Sequence, residues 1–474
     1  MTAVKELRSL LGADRVLDDP LERHIFSKDA SLMRGDPQCI VFPGTASEVA
    51  AIVRVAAAHD LPVIARGAGT GLTAGATPTQ GGIVMVMTAM NDIEIDVPNQ
   101  AAWVGSGVIN LDLSRVAKPH GLQFAPDPSS QSACTIGGNL ANNSGGPHCL
   151  AEGSTTSHIL GLEFVTATGE LRQVGGLAPD TPGLDIRALL VGSEGTLAIA
   201  TRILVRLIPL PDDVRTLLLD FTSVEDAART VSEVIGAGLV PAALEMMDQR
   251  MTVAIETWLG AGLPTDAAAV LLAEIVGSTA TVESEARVIS EIGNNNRARN
   301  VVIAIEEADR ELLWKGRKSA FGAIAQLAPD YYLHDTVVPR TRLVETMAGV
   351  YEIADRYGLT MCNVFHAGDG NLHPLIAFDA SDADVAERVR LASEEIVELS
   401  LSVGGALSGE HGIGVEKRDL MAESFSGLDL DAQARVKDVF DPAHLFNPNK
   451  ILPSGSRCFD FGGARKELPE GAWV

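Results

Sequence analysis

Only five cysteines, Cys39, Cys134, Cys149, Cys362 and Cys458, occur in 474 residues, and no two stand in a CxxC pair or another ligand spacing. That argues against a disulfide framework and against an iron–sulfur cluster carried by this chain. Aromatic residues make up 4%, so the core must be mainly aliphatic and alanine-rich. Basic residues are outnumbered, 37 against 62 acidic, and a formal charge of −25 disfavours a nucleic-acid or anionic-membrane surface. A small anionic substrate would need a local basic pocket. No apolar run approaches the roughly 20 residues of a spanning helix, and the opening MTAVKELRSLLGADR lacks the apolar centre of a secretory signal. The expectation is a soluble, cytoplasmic protein, with docking to a membrane-bound partner left open.

What is present has the balance of a folded protein, 46% hydrophobic and 21% charged. The chain is too long for one core, and about 150 residues per domain gives two or three units. From Cys39, CIVFPGTASEVAAIVRVAAAHDLPVIARGAGTGL reads as strand, helix and strand, with Thr45 and Glu48 in capping-box spacing. GGIVMVM is a further strand, and DIEIDV with AAWVGSGV forms a hairpin across Pro98-Asn99-Gln100. A loop of small residues, Pro126 to Gly146, is too long to be merely a turn. Thr196 to Leu207 alternates like a half-buried strand, and Pro209 and Pro211 followed by Asp212-Asp213 mark a domain boundary. Beyond it come strand RTLLLDF, helix SVEDAARTVSEVIGAG and strand AALEMMD, then strand AAVLLAEIV, helix TVESEARVISEIG and strand NVVIAI. Two such units in a row predict a ferredoxin-like antiparallel sheet with helices on one face.

RGAGTGLTAGA places Gly67, Gly69, Gly71 and Gly75 after a predicted strand, where backbone N–H groups can approach a phosphate. No Gly-Lys-Ser/Thr follows and the helix-opening GxGxxG spacing is missing, so a plain surface turn stays open for this loop alone. The second loop adds Ser129, Ser130, Asn139 and Asn142 to Arg66 of the first. Together they supply donors for an extended pyrophosphate cofactor.

In order and spacing, RGAGTGL, APDPSSQSACTIGGNLANNSGG, VGSEGTLAI, VFHAGDGNLHP, SGEHGIGVEK and FNPNK resemble the FAD-linked oxidases of the vanillyl alcohol oxidase / p-cresol methylhydroxylase superfamily. Within it the likeness is to the branch of glycolate oxidase D subunits, D-lactate dehydrogenases and D-2-hydroxyglutarate dehydrogenases. It spans about residues 20 to 460. The resemblance implies an α+β protein: a two-part PCMH-type FAD-binding domain over 1–211, then a ferredoxin-like antiparallel-sheet substrate domain over 212–474, whose stretch near 440–460 returns to the FAD site. It maps FAD contacts onto Arg66, Gly67, Ala68, Gly69, Thr70, Gly71 and Leu72, and onto Pro128, Ser129, Ser130, Thr135, Gly137, Gly138, Asn142 and Gly145. Glu194, Gly195 and Ile199 would line the flavin, and Asn447 would close the site. Some relatives attach FAD covalently through a histidine in the first loop; here Thr70 and Gly71 stand there, so non-covalent FAD is expected. The resemblance also implies partners, an iron–sulfur subunit and a second flavin-domain subunit, through which the chain would lie peripheral to the inner membrane.

The ten histidines include two placed symmetrically in HAGDGNLHP, about an Asp-Gly turn. If Asp369-Gly370 closes a two-residue hairpin, His366 pairs with His373, with Cβ atoms about 5 Å apart on one face. Two imidazoles at that distance can grip a divalent metal, zinc or manganese, and SGEHGIG offers Glu410 as third ligand. Two satisfied buried histidines capping the hairpin are the plainer alternative. The resemblance assigns a catalytic metal to His366, His373 and Glu410.

Oxidation of a 2-hydroxy acid requires a base for the hydroxyl proton, and His411 suits that role as a neutral imidazole. LWKGRKSAF supplies Lys315, Arg317 and Lys318 in one helical turn, of which Arg317 matches the WxxR position of the family and binds carboxylate in two prongs. Where relatives acting on 2-hydroxyglutarate carry a substrate lysine, YYLHDTVVP has Leu333, which points to glycolate or lactate. Three other readings stay open: a D-2-hydroxyglutarate or other D-2-hydroxy acid dehydrogenase acting alone, a metal-dependent hydrolase using the same histidines, and a non-catalytic flavin subunit.

Overall fold

A computed structural model describes residues 2–178 and 182–453; Cys458 lies outside them. The chain divides into two compact units. Within the described residues the first gathers 2–145, 154–210 and 410–453, and the second gathers 146–153 and 211–409. The chain thus passes to the second unit at the prolines and returns at Glu410, well before the expected return near 440.

In the first unit, Ile83–Val86 lies parallel between Cys39–Val41 and Val63–Arg66. The crossover helix Ala46–Ala58 starts at Thr45, whose side chain accepts the Glu48 N–H at 3.2 Å. The expected reciprocal box does not close. The Glu48 carboxylate accepts the Gly44 N–H at 2.7 Å instead and pairs with Arg15, a stronger partner than a backbone amide. A second sheet, antiparallel, runs Ile93–Asp96, Ala101–Gly105, Ile199–Arg206, Ile159–Val165 and Leu171–Gly175. Its first hairpin pairs Asp96 with Ala101. The long small-residue loop is not all loop, because Thr135 caps a short helix Ile136–Asn142 by accepting the Gly138 N–H. The returning chain lies along Val63, whose N–H donates to Leu445 O and whose carbonyl accepts from Asn447 N–H.

The second unit is a nine-stranded sheet. Its first four strands run Asn300–Ala304, Asp213–Phe221, Ala269–Gly277 and Ala243–Asp248, each antiparallel to its neighbour. That is the order of a ferredoxin-like sheet, and Thr360–His366 continues it beside Ala243–Asp248. Alternation puts Leu217, Leu219, Leu244, Met246, Leu271, Ala273 and Phe365 on one face, all buried in a core that also takes Val231 and Val234 of helix Val224–Gly236 and Ile289 of helix Thr279–Asn295. The residues between them, Thr216, Glu245, Glu274 and His366, share the opposite face.

Candidate active site

The histidine hairpin is wider than its sequence suggests. His366 pairs with Asn371, not with His373, and residues 367–370 form a four-residue turn. The Gly370 N–H donates to His366 O to close it. The same register puts Asn363 opposite Pro374. Pairing has slipped by two residues relative to expectation, and a slip of two preserves the face where a slip of one would reverse it. His366 and His373 therefore meet diagonally, ring centroids 5.1 Å apart and planes at 85°.

Each ring has one nitrogen fixed. His373 Nδ1–H donates to the carbonyl of His334 at 3.0 Å, a partner that can only accept. His366 Nδ1–H donates to Glu245 Oε1 at 2.7 Å, across the directly paired strand Ala243–Asp248. Both histidines are buried, and in both the second nitrogen, Nε2, is the one suited to a metal. A pair of imidazole nitrogens held in this way is chemistry zinc and manganese accept, so the two histidines fit such an ion.

Arg317 is buried in helix Glu307–Lys318, and its Nε and one Nη donate to Glu245 Oε2 at 2.8 and 2.6 Å. Glu245 thus joins His366 to Arg317, and sequence reasoning missed it. Burial acts to raise its carboxyl, but His366 and Arg317 outweigh burial and hold it below the usual range. Its sequence signal is an acid in the middle of the otherwise apolar run AALEMM. One helical turn before Arg317, Trp314 Nε1 donates to Glu274, which also accepts from Thr216 Oγ1 at 2.8 Å and meets His148 Nε2 at 3.0 Å. Leu333 is buried in strand Asp330–Leu333, opposite Leu375.

Asp335, also missed, is fully buried and accepts the Gly409 N–H at 3.0 Å and the Ser408 hydroxyl at 2.5 Å. A Cβ on Gly409 would fall 2.4 Å from the Asn371 side chain, so the second unit's chain ends its run against the histidine hairpin. Glu410 follows by one peptide bond, about 3.8 Å between Cα atoms.

In the first unit, two expected FAD segments, at Asn142 and Glu194, meet the loop after Glu410, and Thr73 joins them. The His411 carbonyl accepts Asn142 Nδ2 at 2.9 Å and Thr73 Oγ1 at 3.3 Å. The Glu194 carboxylate accepts the N–H groups of Ile413 and Gly414 at 2.7 and 2.8 Å, and its backbone carbonyl accepts Asn447 Nδ2 at 2.8 Å. Burial pushes the Glu194 carboxyl up to about 7 against the pull of those amides. The His411 and Glu410 side chains are nearly buried, with His411 Nε2 4.0 Å from Glu410 Oε1. Lys450, absent from the expected set, donates to Ala74 O and Thr77 O at 2.7 and 2.8 Å, and burial draws it down to about 8.

The glycine loops touch: a Cβ on Gly67 would sit 2.2 Å from Thr135 Oγ1. Gly69, at φ +74°, leaves room for the Arg66 guanidinium, which donates to Lys28 O at 2.7 Å and lies over the Phe26 ring. Gly137 packs on the Ser106 carbonyl. Ala68 is exposed, while Thr70, Gly71, Leu72, Ser129, Ser130, Gly138, Asn142 and Gly195 are half-buried and Pro128, Gly145 and Ile199 are buried. Two buried polar atoms, Ser106 Oγ and Asn447 Oδ1, have no partner among the described residues. A polar cradle of this kind fits FAD.

Comparisons with known proteins agree with that fit. Residues 37–175 match the family "FAD binding domain", and 210–451 match "FAD linked oxidases, C-terminal domain". Over 433 residues the chain is 42% identical to the glycolate oxidase subunit GlcD of Escherichia coli strain K12, covering 91% of this chain and 87% of that protein. It is 34% identical over 416 residues to a D-lactate dehydrogenase of Archaeoglobus fulgidus, covering 87% and 91%. A crystal structure of p-cresol methylhydroxylase with substrate bound superposes with a TM-score of 0.82 at 16% identity, over 96% of this chain and 97% of that one, a likeness of fold.

Proposed function

Because this chain belongs to the family of FAD-linked oxidases, we propose that it oxidises a small 2-hydroxy acid, glycolate or D-lactate, to the 2-oxo acid. The observation that carries this reading is the buried junction of Arg317, Glu245 and His366. It puts a carboxylate-binding fork and a metal-type histidine on one anchor. FAD, when bound, supplies the two-electron acceptor for the hydride leaving C2 of the substrate. A divalent ion, zinc or manganese, held by His366, His373 and Glu410, supplies Lewis acidity toward the hydroxyl oxygen. Arg317 binds the substrate carboxylate through the guanidinium donors that Glu245 does not use. His411 takes the hydroxyl proton on its imidazole, steadied because Asn142 and Thr73 hold its carbonyl and Glu194 holds the Ile413 N–H two residues on. Leu333 disfavours a second carboxylate on the substrate.

FAD is held without a covalent bond, since no histidine stands between Arg66 and Leu72. Relatives are named as subunits of glycolate oxidase. That naming supports work with further subunits, and we propose that these are an iron–sulfur subunit and a second flavin-domain subunit, in the cytoplasm and peripheral to the inner membrane. Among the described residues no helix is long and apolar enough to cross a membrane. The test is anaerobic reduction of the purified yellow protein by glycolate, D-lactate, L-lactate and D-2-hydroxyglutarate. Fast bleaching by glycolate or D-lactate is expected. Bleaching by none of the four would sink the reading, and fastest bleaching by D-2-hydroxyglutarate would move the substrate.

A further inference from the structure

We propose that Glu245 is a positioning residue that couples the metal site to substrate binding, by fixing with one carboxylate both the protonated nitrogen of His366 and the orientation of Arg317. The inference rests on the functional reading above and deepens it.

Glu245 sits mid-strand between Leu244 and Met246, with its side chain fully shielded. A carboxylate there is costly, and a buried ion pair seldom stabilises more than apolar packing would. Stability alone therefore gives no reason for an acid at this position. Its two oxygens divide the work. Oε1 accepts His366 Nδ1–H at 2.7 Å, and Oε2 accepts from Arg317 at 2.8 and 2.6 Å. The first contact leaves Nε2 of His366 as the basic nitrogen, and a carboxylate behind a ligating imidazole also raises its donor strength. The second occupies one edge of the Arg317 fork and so sets where the rest of the fork points.

Glu274 provides an internal control. It lies on the same face of the sheet and receives Trp314, three residues before Arg317 on the same helix, but its partners are Thr216, His148 and Trp314 rather than His366. Loss of Glu274 should disturb the helix without touching the histidine.

The experiment uses FAD-loaded full-length protein stripped of metal by chelator. Mn²⁺ binding is measured by electron paramagnetic resonance, and the glycolate or D-lactate dissociation constant by anaerobic stopped-flow at saturating Mn²⁺. Glu245→Gln keeps the shape but loses the charge and one acceptor. It should weaken Mn²⁺ binding by about 10–100-fold and also raise the substrate dissociation constant, whereas Glu274→Gln should leave Mn²⁺ binding within about twofold. Should Glu245→Gln fail to retain FAD, Glu245→Asp, whose shorter reach cannot serve both partners, should show the same weakening. Wild-type Mn²⁺ affinity in the folded Glu245 variant overturns the proposal, as does equal weakening in Glu274→Gln. If wild-type protein itself binds no Mn²⁺, the metal assignment fails and the coupling fails with it.

Discussion

The two units build their chemistry from different parts of the polypeptide. In the first, the contacts that matter are made largely by main chain: the His411 carbonyl, the Ile413 and Gly414 amides and the Ala74 and Thr77 carbonyls are each gripped by a side chain from elsewhere in the unit. In the second, side chain meets side chain, through Arg317, Glu245, His366 and Glu274 on one face of a sheet whose other face is apolar core. A site made of main chain is vulnerable where a glycine must stay a glycine. A site made of side chains is vulnerable where a charge must stay a charge.

The largest expected effect is at His411, the base proposed above. His411→Ala should slow anaerobic flavin reduction by about 10²–10⁴-fold with little change in substrate affinity. Near-normal reduction at neutral pH would move the base elsewhere.

Next is a test of the main-chain half. Gly414 has φ +54°, and a Cβ there would lie 1.9 Å from Thr73 O. Gly414→Ala must shift the loop carrying His411, and a misplacement of about 1 Å costs roughly 10²-fold in rate. Full activity in that variant would break the contrast between the units.

The side-chain half is sharpened at Arg317. Arg317→Ala should raise the substrate dissociation constant by about tenfold or more, from lost charge-assisted hydrogen bonds. Arg317→Lys should restore it only in part, because an ammonium lacks the fork. Full rescue by lysine would mean that charge, not geometry, is what the position supplies.

The smallest effect is on stability. Glu194 carries a folded pKa of about 7 against an ordinary 4.5, so the native state holds this proton more tightly than the unfolded chain. Its contribution is complete below about pH 4.5 and is lost as pH rises through about 7. The thermal midpoint of wild type relative to Glu194→Gln should therefore fall by a few degrees across that window, roughly 2–4 °C per kcal/mol. A pH-independent difference between the two would show that Glu194 titrates normally.

What was legible in the sequence follows the same division. The glycine loops are contiguous, so their residue types are visible in a single stretch of text, and the ferredoxin-like order follows from alternating local elements. The hairpin was legible in its face but not in its register, because Asp369-Gly370 signals a tight turn whereas the chain closes over 367–370, where Gly370 N–H finds His366 O. Glu245 and Asp335 were not legible. Their partners lie 72 and 121 residues away for Glu245, and 73 and 74 for Asp335, and no local spacing carries that information. Thr45 keeps its half of the capping box, whereas the Glu48 half is overruled by Arg15, another long-range partner.

The Arg317–Glu245 pair also bears on how a substrate arrives. Joined at 2.6 Å, the two charges largely offset one another, so on the proposed reading the arginine would orient an anion at contact without projecting a field that would gather one. The chain as a whole carries a formal −25, a net charge that opposes the approach of a carboxylate. Added salt should therefore speed association of glycolate or D-lactate between about 10 mM and 150 mM ionic strength, as screening shortens the reach of that repulsion from roughly 30 to 8 Å. An enzyme that drew its acid substrate through an open basic funnel would slow instead.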